Sequence, residues 1–270
     1  MAEFSAKEVM ALRNRTGLPM MDCKAALAEA NGDVDAAEDL LRKKLKGKME
    51  KRSDRAAGEG CIAIAIQGGK AAIVELRAET DFTAKNEKFQ AGAQKIADLA
   101  LACAAGDVTP TAEMTAIIDD IRITTGENCS IARVRRMNAG PGQRFGSYVH
   151  HDGKTGVLVH AEGDASDDLL KEVSMHVTAA FPVPKGVTSS DIPADVVEKE
   201  RKFRVEQAME SGKPREIAEK MVEGGMKKFF AEIALIEQPF IKDPAKTVKD
   251  VIGPGVKIVA FARWAVGESA

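Results

Sequence analysis

The sequence predicts an α+β protein: an N-terminal bundle of three helices, then two α+β subdomains with antiparallel sheets, the second carrying an inserted helical hairpin. Three observations predict it. Three short amphipathic segments, each opened by a capping residue, fill the first 46 residues. Two hairpin signals, Gly68-Gly69 and Asp152-Gly153, each sit between alternating stretches and are followed by helix patterns. From about Asp191 to Phe230 the pattern is helical on both sides of a single break. The units that follow are a bundle over 1–46, a basic linker over 47–57, a subdomain over 58–139 and a second over 140–270 with its insertion at 191–230. A chain of 270 residues is long enough to bury more than one core.

The elements are justified in chain order. Ser5-Ala6-Lys7-Glu8 fits a capping box, with Val9, Leu12 and Thr16 on the inner face of the helix it opens and Gly17-Leu18-Pro19 ending it. Asp22 can cap a second helix with Cys23, Ala26, Leu27 and Ala30 inward. Asn31-Gly32 turns the chain, and Asp33 can cap a third helix with Val34, Ala37, Leu40 and Leu41 inward. Met20 and Met21 then fall in the loop after Pro19. They are read either as an adaptable contact surface or, for at least one of them, as a lid on the bundle core. Arg42 to Arg55 holds eight Lys or Arg against Glu50 and Asp54. No aromatic residue interleaves these charges to stack on bases, so the run reads as a solvated helix end and linker.

The second unit opens at Gly58. Ile62, Ile64 and Ile66 alternate with small residues, Gly68-Gly69 turns the chain, and Ala72, Val74 and Leu76 line one face of the returning strand. After that strand comes Glu79-Thr80-Asp81-Phe82-Thr83-Ala84-Lys85-Asn86-Glu87-Lys88-Phe89, a strand-to-helix junction. Phe89, Ala93, Ile96, Ala100 and Ala104 repeat beyond it at helical offsets, and either Thr80 or Thr83 can cap that helix. Phe82 has no place in a hydrophobic staple under either cap, because Thr83 as cap would pair it with Glu87 and Thr80 as cap puts it in the first turn. It is read either as core or as a ring presented to a partner. A second helix follows, with Met114, Ile117, Ile118 and Ile121, and a strand over Ser130 to Met137 closes the unit.

Gly140-Pro141-Gly142 separates the third unit. Arg144 to His150 and Thr155 to Glu162 form a hairpin, Ser166 can cap a helix carrying Leu170, Val173 and Val177, and Val256 to Val266 is a final strand. Inside it, Ser211-Gly212-Lys213-Pro214 breaks the helical insertion into two arms. Val197, Val205 and Ala208 form a stripe on one arm, and Ile217, Ala218, Met221 and Val222 on the other. Such a hairpin is either a solvated arm or a surface for self-association.

Composition excludes several functions. Lys plus Arg number 39 against 41 Asp plus Glu, so no global charge drives nucleic-acid or membrane binding. Cys23, Cys61, Cys103 and Cys129 are widely spaced without a C-x-x-C pair, which speaks against zinc or redox motifs and for thiols in a reducing cytosol. Glu3, Lys7 and Glu8 stand among the first eight residues and no apolar run reaches membrane length, so neither a signal peptide nor a membrane span is expected, and a cytoplasmic location is. Gly153-Lys154-Thr155 is not a phosphate-binding loop, because Tyr148 stands where such a loop needs Gly. His150 and His160 fall roughly 16 Å apart on opposite strand faces if the hairpin turns at Asp152-Gly153, too far to share a metal. His176, on the apolar side of a helix, reads as a core histidine. No constellation for nucleophilic or acid–base chemistry emerges from spacing, so no catalytic site and no cofactor is expected.

The junction resembles the T-D-F-V-A-[R/K]-N-E motif of the bacterial elongation factor Ts family, with Thr83 where the family has an apolar residue. The opening R-x-x-T-G-x-x-M-M-D-C-K-x-A-L also resembles that family, and the three-helix pattern resembles a ubiquitin-associated-type domain. Ser147-Tyr148-Val149-His150, Met175-His176-Val177 and Gln238-Pro239-Phe240 extend the likeness over nearly the whole chain. The resemblance implies a guanine nucleotide exchange factor for elongation factor Tu, with GDP and magnesium belonging to the partner. It implies that Thr80, Asp81, Phe82 and Thr83 act near the partner's magnesium and nucleotide, and that Arg13, Met20, Met21, Lys24 and His150 touch the partner. Many family members continue past V-G-E into another helix that packs on the partner. Here only Ser269-Ala270 is given after Val266-Gly267-Glu268, so that contact is expected to be absent and binding weaker. Rival readings are an adaptor working through the bundle alone and an RNA-binding protein working through the basic linker, whose affinity would fall steeply with salt.

Overall fold

The fold is α+β. The structure, a computed structural model, describes residues 4–50, 54–210, 212 and 214–268, with only the backbone path at residues 46, 48–50 and 215. Ser211 and Lys213 in the expected helix break, part of the basic linker, and Ser269 and Ala270 lie outside the described residues. The chain forms two compact units. The first takes in the chain up to Ala65, then Ala72–Arg136 and the stretch from Ala265 on; the second takes Ile66–Ala71 and Met137–Trp264.

The first unit begins with α1 (Ala6–Thr16), α2 (Met20–Glu29) and α3 (Val34–Glu50). Ser5 and Glu8 form the capping box: the Glu8 amide donates to Ser5 Oγ at 3.3 Å and the Ser5 amide to Glu8 Oε2 at 2.6 Å. Gly17, left-handed at φ 72°, closes α1. Asp33 Oδ1 accepts from the amides of Asp35 and Ala36 and so caps α3. Leu12, Cys23, Leu27 and Ala37 form the bundle core.

One expectation fails here. Asp22 does not cap α2; the helix starts at Met20 behind Pro19, whose carbonyl accepts from the amides of Asp22 and Cys23. Proline's fixed φ pre-sets this entry without a side-chain cap. In addition, α3 continues to Glu50 through residues 47–50 of the expected linker. Lys48, Met49 and Glu50 are good helix formers and carry the helix past Gly47.

The unit continues with β1 (Glu59–Gln67), β2 (Lys70–Ala78), α4 (Asp81–Ala84), α5 (Glu87–Ala100), β3 (Gly106–Asp107), α6 (Ala112–Thr125) and β4 (Ser130–Asn138). The sheet order is β1-β2-β4-β3. Gly68 and Gly69 both take positive φ, 56° and 72°, as a two-residue hairpin requires. Helices α5 and α6 cover one face. Against them stand Cys61, Ala63 and Ala65 of β1 and Ala72, Val74, Leu76 and Ala78 of β2. The small members of the β1 alternation therefore face the helices, and Ile62 is buried on the other face. The helices also press together closely: a Cβ on Gly92 would lie 2.6 Å from Ile121 Cδ1. The bundle core extends onto α6 through Ile123. Burial pushes the Cys61 thiol up to about 12 and that of Cys129 to about 11, so neither is a thiolate near neutrality.

The second unit contains β5 (Gln143–Val149), β6 (Thr155–Gly163), α7 (Asp167–Ala179), α8 (Ala194–Glu210), α9 (Arg215–Ile233), β7 (Pro239–Phe240), β8 (Asp243–Thr247), α10 (Val248–Ile252) and β9 (Val256–Ala265). Its sheet runs β5-β6-β9 and α7 covers it, with Ser166 Oγ accepting from the Leu169 amide as cap. Gly146 lies directly beneath α7, where a Cβ would stand 2.2 Å from Leu170 Cβ. β7, β8 and α10 are too short to show a period and were not anticipated by pattern. In the hairpin, Ala208, Ala218, Val222 and Met226 make the contact between α8 and α9. Val205, Ile217 and Met221, placed on the inner stripes by spacing, are exposed instead. Two antiparallel helices without a third layer bury only a narrow seam, and the flanks of each stripe stay outside.

Candidate functional site: the β2–α5 junction

β2 ends at Ala78 and the chain turns through Glu79 and Thr80. Thr80 is extended (φ −124°, ψ 155°) and its Oγ1 accepts from the Thr83 amide at 3.3 Å, capping the single turn α4. Neither threonine caps the long helix. Asn86 does, its Oδ1 accepting from the Lys88 amide at 2.9 Å. The junction is thus two helices with a break at Asn86, which takes extended dihedrals, rather than one helix with one cap. Ala104 falls beyond the end of α5.

This geometry separates the two phenylalanines. Phe89 is fully inside the α5/α6 core. Phe82 is 84% exposed, while its neighbours Thr83 and Ala84 are buried. The ring therefore stands out from an anchored turn. Asp81 beside it is half exposed, and Lys85 Nζ donates to Asp81 Oδ2 at 2.8 Å. That hydrogen bond, followed by the ammonium charge, holds the Asp81 carboxyl below its usual range.

The turn stands on a polar base that the sequence reading missed. Glu127 accepts from the Thr80 amide at 3.1 Å and from Thr80 Oγ1 at 2.6 Å. Glu79 accepts from the Asn128 amide at 2.7 Å and from Arg55 Nη1 at 3.3 Å, and Asn128 Nδ2 donates to the Arg55 carbonyl at 2.7 Å. The only local signal for this pair was its place just after Gly126, the left-handed stop of α6. Beside the turn lies a cavity of about 930 Å³, lined by Phe82, Thr83, Phe89 and Ile117, by Lys88 and Lys95, and by Gly17 and Arg42 of the bundle.

Arg13, Met20, Met21 and Lys24 do not line that cavity. Met20, Met21 and Lys24 lie in the first turns of α2, not in a loop, and share its outer face at i, i+3 and i, i+4 spacing. Met20 is 47% and Met21 72% exposed, so neither closes the bundle core. Arg13 is exposed near the end of α1.

His150 belongs to the second unit. It follows β5, its amide donating to the Thr155 carbonyl at 2.8 Å, and its half-buried ring meets Tyr148 and His151 edge-on. His160 pairs with Phe145 across the hairpin, as the turn at Asp152-Gly153 predicts, and the two rings stack with centroids 4.6 Å apart. Among the described residues, no group of three or more His, Cys, Asp or Glu is arranged to hold a metal. His176 is a satisfied core residue: its Nε2 meets Gln238 Oε1 at 3.1 Å and its Nδ1 accepts from the Ile241 amide at 3.2 Å.

Burial lowers the pKa of both His160 and His176, opposed at His176 by the bond to Gln238. The fold therefore favours the neutral form of both. Their contribution to stability is whole above the unfolded value of about 6.5 and is lost as pH falls through it toward the lower folded values. His160 Nε2 is buried without a hydrogen-bond partner. His160→Phe should keep the stack on Phe145 and remove the titration. The variant should melt no earlier than wild type at pH 7 and gain on it as the pH is lowered to 5. Parallel melting curves against pH for the two proteins would contradict this.

The family model for Elongation factor TS matches residues 79–268, a span that begins at the first residue of the junction. The chain belongs to the elongation factor Ts family. Elongation factor Ts of Pasteurella multocida is 47% identical over 273 residues, covering 99% of this chain and 93% of the relative. The Actinobacillus succinogenes protein is 44% identical with the same coverage, and that of Thioalkalivibrio sulfidiphilus is 42% identical over 98% of this chain and 92% of its own length. As a member of the elongation factor Ts family, the chain is a translation elongation factor. No helix among its described residues is long and apolar enough to cross a membrane.

Proposed function

We propose that this elongation factor is a guanine nucleotide exchange factor for elongation factor Tu, acting in the cytoplasm. The exposed Phe82 ring on its locked turn is the observation that carries the reading. Thr80, Asp81, Phe82 and Thr83 form the element that displaces the partner's magnesium and disturbs its phosphate-binding loop. Charge-assisted contacts to the diphosphate are thereby lost. Arg13, Met20, Met21, Lys24 and His150 supply further contacts, and the bundle over 1–46 acts as a partner-binding domain. No bond is made or broken, so the protein is not an enzyme, and it needs no cofactor of its own; GDP and magnesium are the partner's. Because binding is linked, GDP weakens the factor's grip by the same factor as the factor weakens that of GDP. Release of labelled GDP from elongation factor Tu tests this directly. Wild-type protein should accelerate release, and Met20→Ser/Met21→Ser should do so less well. No acceleration by wild type would refute the reading.

The hairpin α8–α9 supports self-association within the same reading. Val205 and Met209 are exposed along a groove of about 600 Å³, with Arg201 on one lip and Glu219 and Glu223 on the other. Lips of opposite charge are complementary to those of a second copy related by a two-fold axis. Sedimentation of the full chain should show a concentration-dependent dimer that Val205→Glu/Met209→Glu abolishes. A wild type that stays monomeric at its highest soluble concentration would rule the dimer out.

A further inference from the structure

We propose that Glu127 is a positioning residue, which holds the Asp81–Phe82 turn in its partner-ready geometry without itself belonging to the exposed tip. The inference rests on the exchange reading above and assigns a role within it.

The argument starts from hydrogen-bond capacity. Thr80 holds the base of α4 by two bonds: its Oγ1 accepts from the Thr83 amide at 3.3 Å and its carbonyl from the Ala84 amide at 3.1 Å. A hydroxyl has one proton to donate. Here that proton goes to Glu127 Oε1 at 2.6 Å, which turns the lone pairs of Oγ1 toward Thr83. Glu127 Oε2 takes the Thr80 amide as well, at 3.1 Å. One carboxylate thus satisfies both donors of the capping residue. It reaches them from a position 47 residues away in the chain.

Glu127 is itself held. Its amide donates to Thr125 Oγ1 at 3.3 Å, and the Thr125 hydroxyl donates back to the Ile121 carbonyl of α6 at 2.8 Å. Next to it, the Asn128 amide donates in the opposite sense to Glu79 at 2.7 Å. Residues 79–80 and 127–128 therefore exchange bonds in both directions. The clamp transmits the rigidity of α6, which is packed on α5, to a turn of four residues. A helix that short does not persist on its own bonds, because nucleation outweighs the few bonds gained.

A tip that is ordered before binding loses less entropy when it docks. If only a fraction of molecules present Phe82 correctly, the apparent affinity falls by that fraction. Glu127→Ala should therefore lower the second-order efficiency of GDP release from elongation factor Tu by about threefold to tenfold, the reduction expected if the competent fraction drops to about a third to a tenth. Glu127→Gln should fall between the two. Its amide oxygen accepts one donor, but its NH₂ cannot accept the Thr80 hydroxyl proton.

The deciding measurement is a double-mutant cycle with Phe82→Ala, with thermal melting of every variant as a folding control. If Glu127 acts through the tip, Glu127→Ala should have little further effect once Phe82 is gone. An equal fold-loss in both backgrounds would assign Glu127 a general structural role and overturn the proposal, as would full activity of Glu127→Ala or Glu127→Gln beside an active wild type. Failure of wild type to accelerate release would instead overturn the exchange reading, and this proposal with it.

Discussion

Phe82→Ala is expected to cut the efficiency of GDP release from elongation factor Tu by about tenfold to a hundredfold, with almost no change in melting temperature. Burying a phenylalanine ring is worth roughly 1.5–3 kcal/mol, and hot-spot residues at interfaces fall in this range or above. At 1.4 kcal/mol per decade, that gives about one to two decades. The folded protein itself gains little from the ring, which is 84% exposed. Loss of a core phenylalanine would cost about 3–5 kcal/mol of stability, whereas a surface substitution costs about 0.5 kcal/mol or less. Asp81→Ala should reduce exchange less, because its contact with Lys85 is exposed and screened. Raising magnesium should oppose the wild-type factor and have less effect on the Phe82→Ala residue of activity. A variant that melts far below wild type yet exchanges normally while folded would return Phe82 to a structural role.

Glu75→Ala is expected to produce the largest loss of stability of any single polar substitution in the first unit. Glu75 sits on β2 with no accessible surface. Its Oε1 accepts from Arg77 Nε at 2.8 Å and from the Gly267 amide at 3.0 Å, and its Oε2 accepts from Arg133 Nε at 2.6 Å. Arg133 in turn donates to the Ala265 carbonyl at 3.3 Å. One carboxylate therefore joins two strands to the returning end of the chain. Removing one member of a buried ionic cluster costs about 3–5 kcal/mol, because the remaining charges stay in place without their counter-charge. The low end applies here, since the side chains of Arg77 and Arg133 retain 31% and 20% exposure. At roughly 2–4 °C per kcal/mol for a chain of this size, melting should fall by about 10 °C. Glu75→Leu should do no better, because volume is restored but the two guanidinium groups still lose the carboxylate between them. A melting temperature within a degree or two of wild type for Glu75→Ala would show that water replaces the carboxylate at little cost.

The sequence by itself determined the fold class and most elements, and it did so where the signal is local. The Gly68-Gly69 hairpin follows from dihedrals that glycine adopts freely, and the starts of α1, α3 and α7 follow from Ser5, Asp33 and Ser166, whose side chains bond amides two or three residues on. The junction at 79–89 was legible as a turn from strand to helix, and the lack of a staple partner already marked Phe82 as unusual. Even locally, competition between caps misled: Asn86 took the long helix from Thr80 and Thr83, and Pro19 took α2 from Asp22. What only the tertiary structure decided depends on contacts distant in sequence. Glu75 looks like a solvent-side residue in an alternating strand, and it becomes buried because Gly267, 192 residues later, returns to it. Glu127 shows no pattern at all, and its role appears only when the loop after α6 meets Thr80. Periodicity reports which face of an element is apolar; it carries no information on whether a second layer will cover the other face, or on which distant carboxylate will meet a capping hydroxyl.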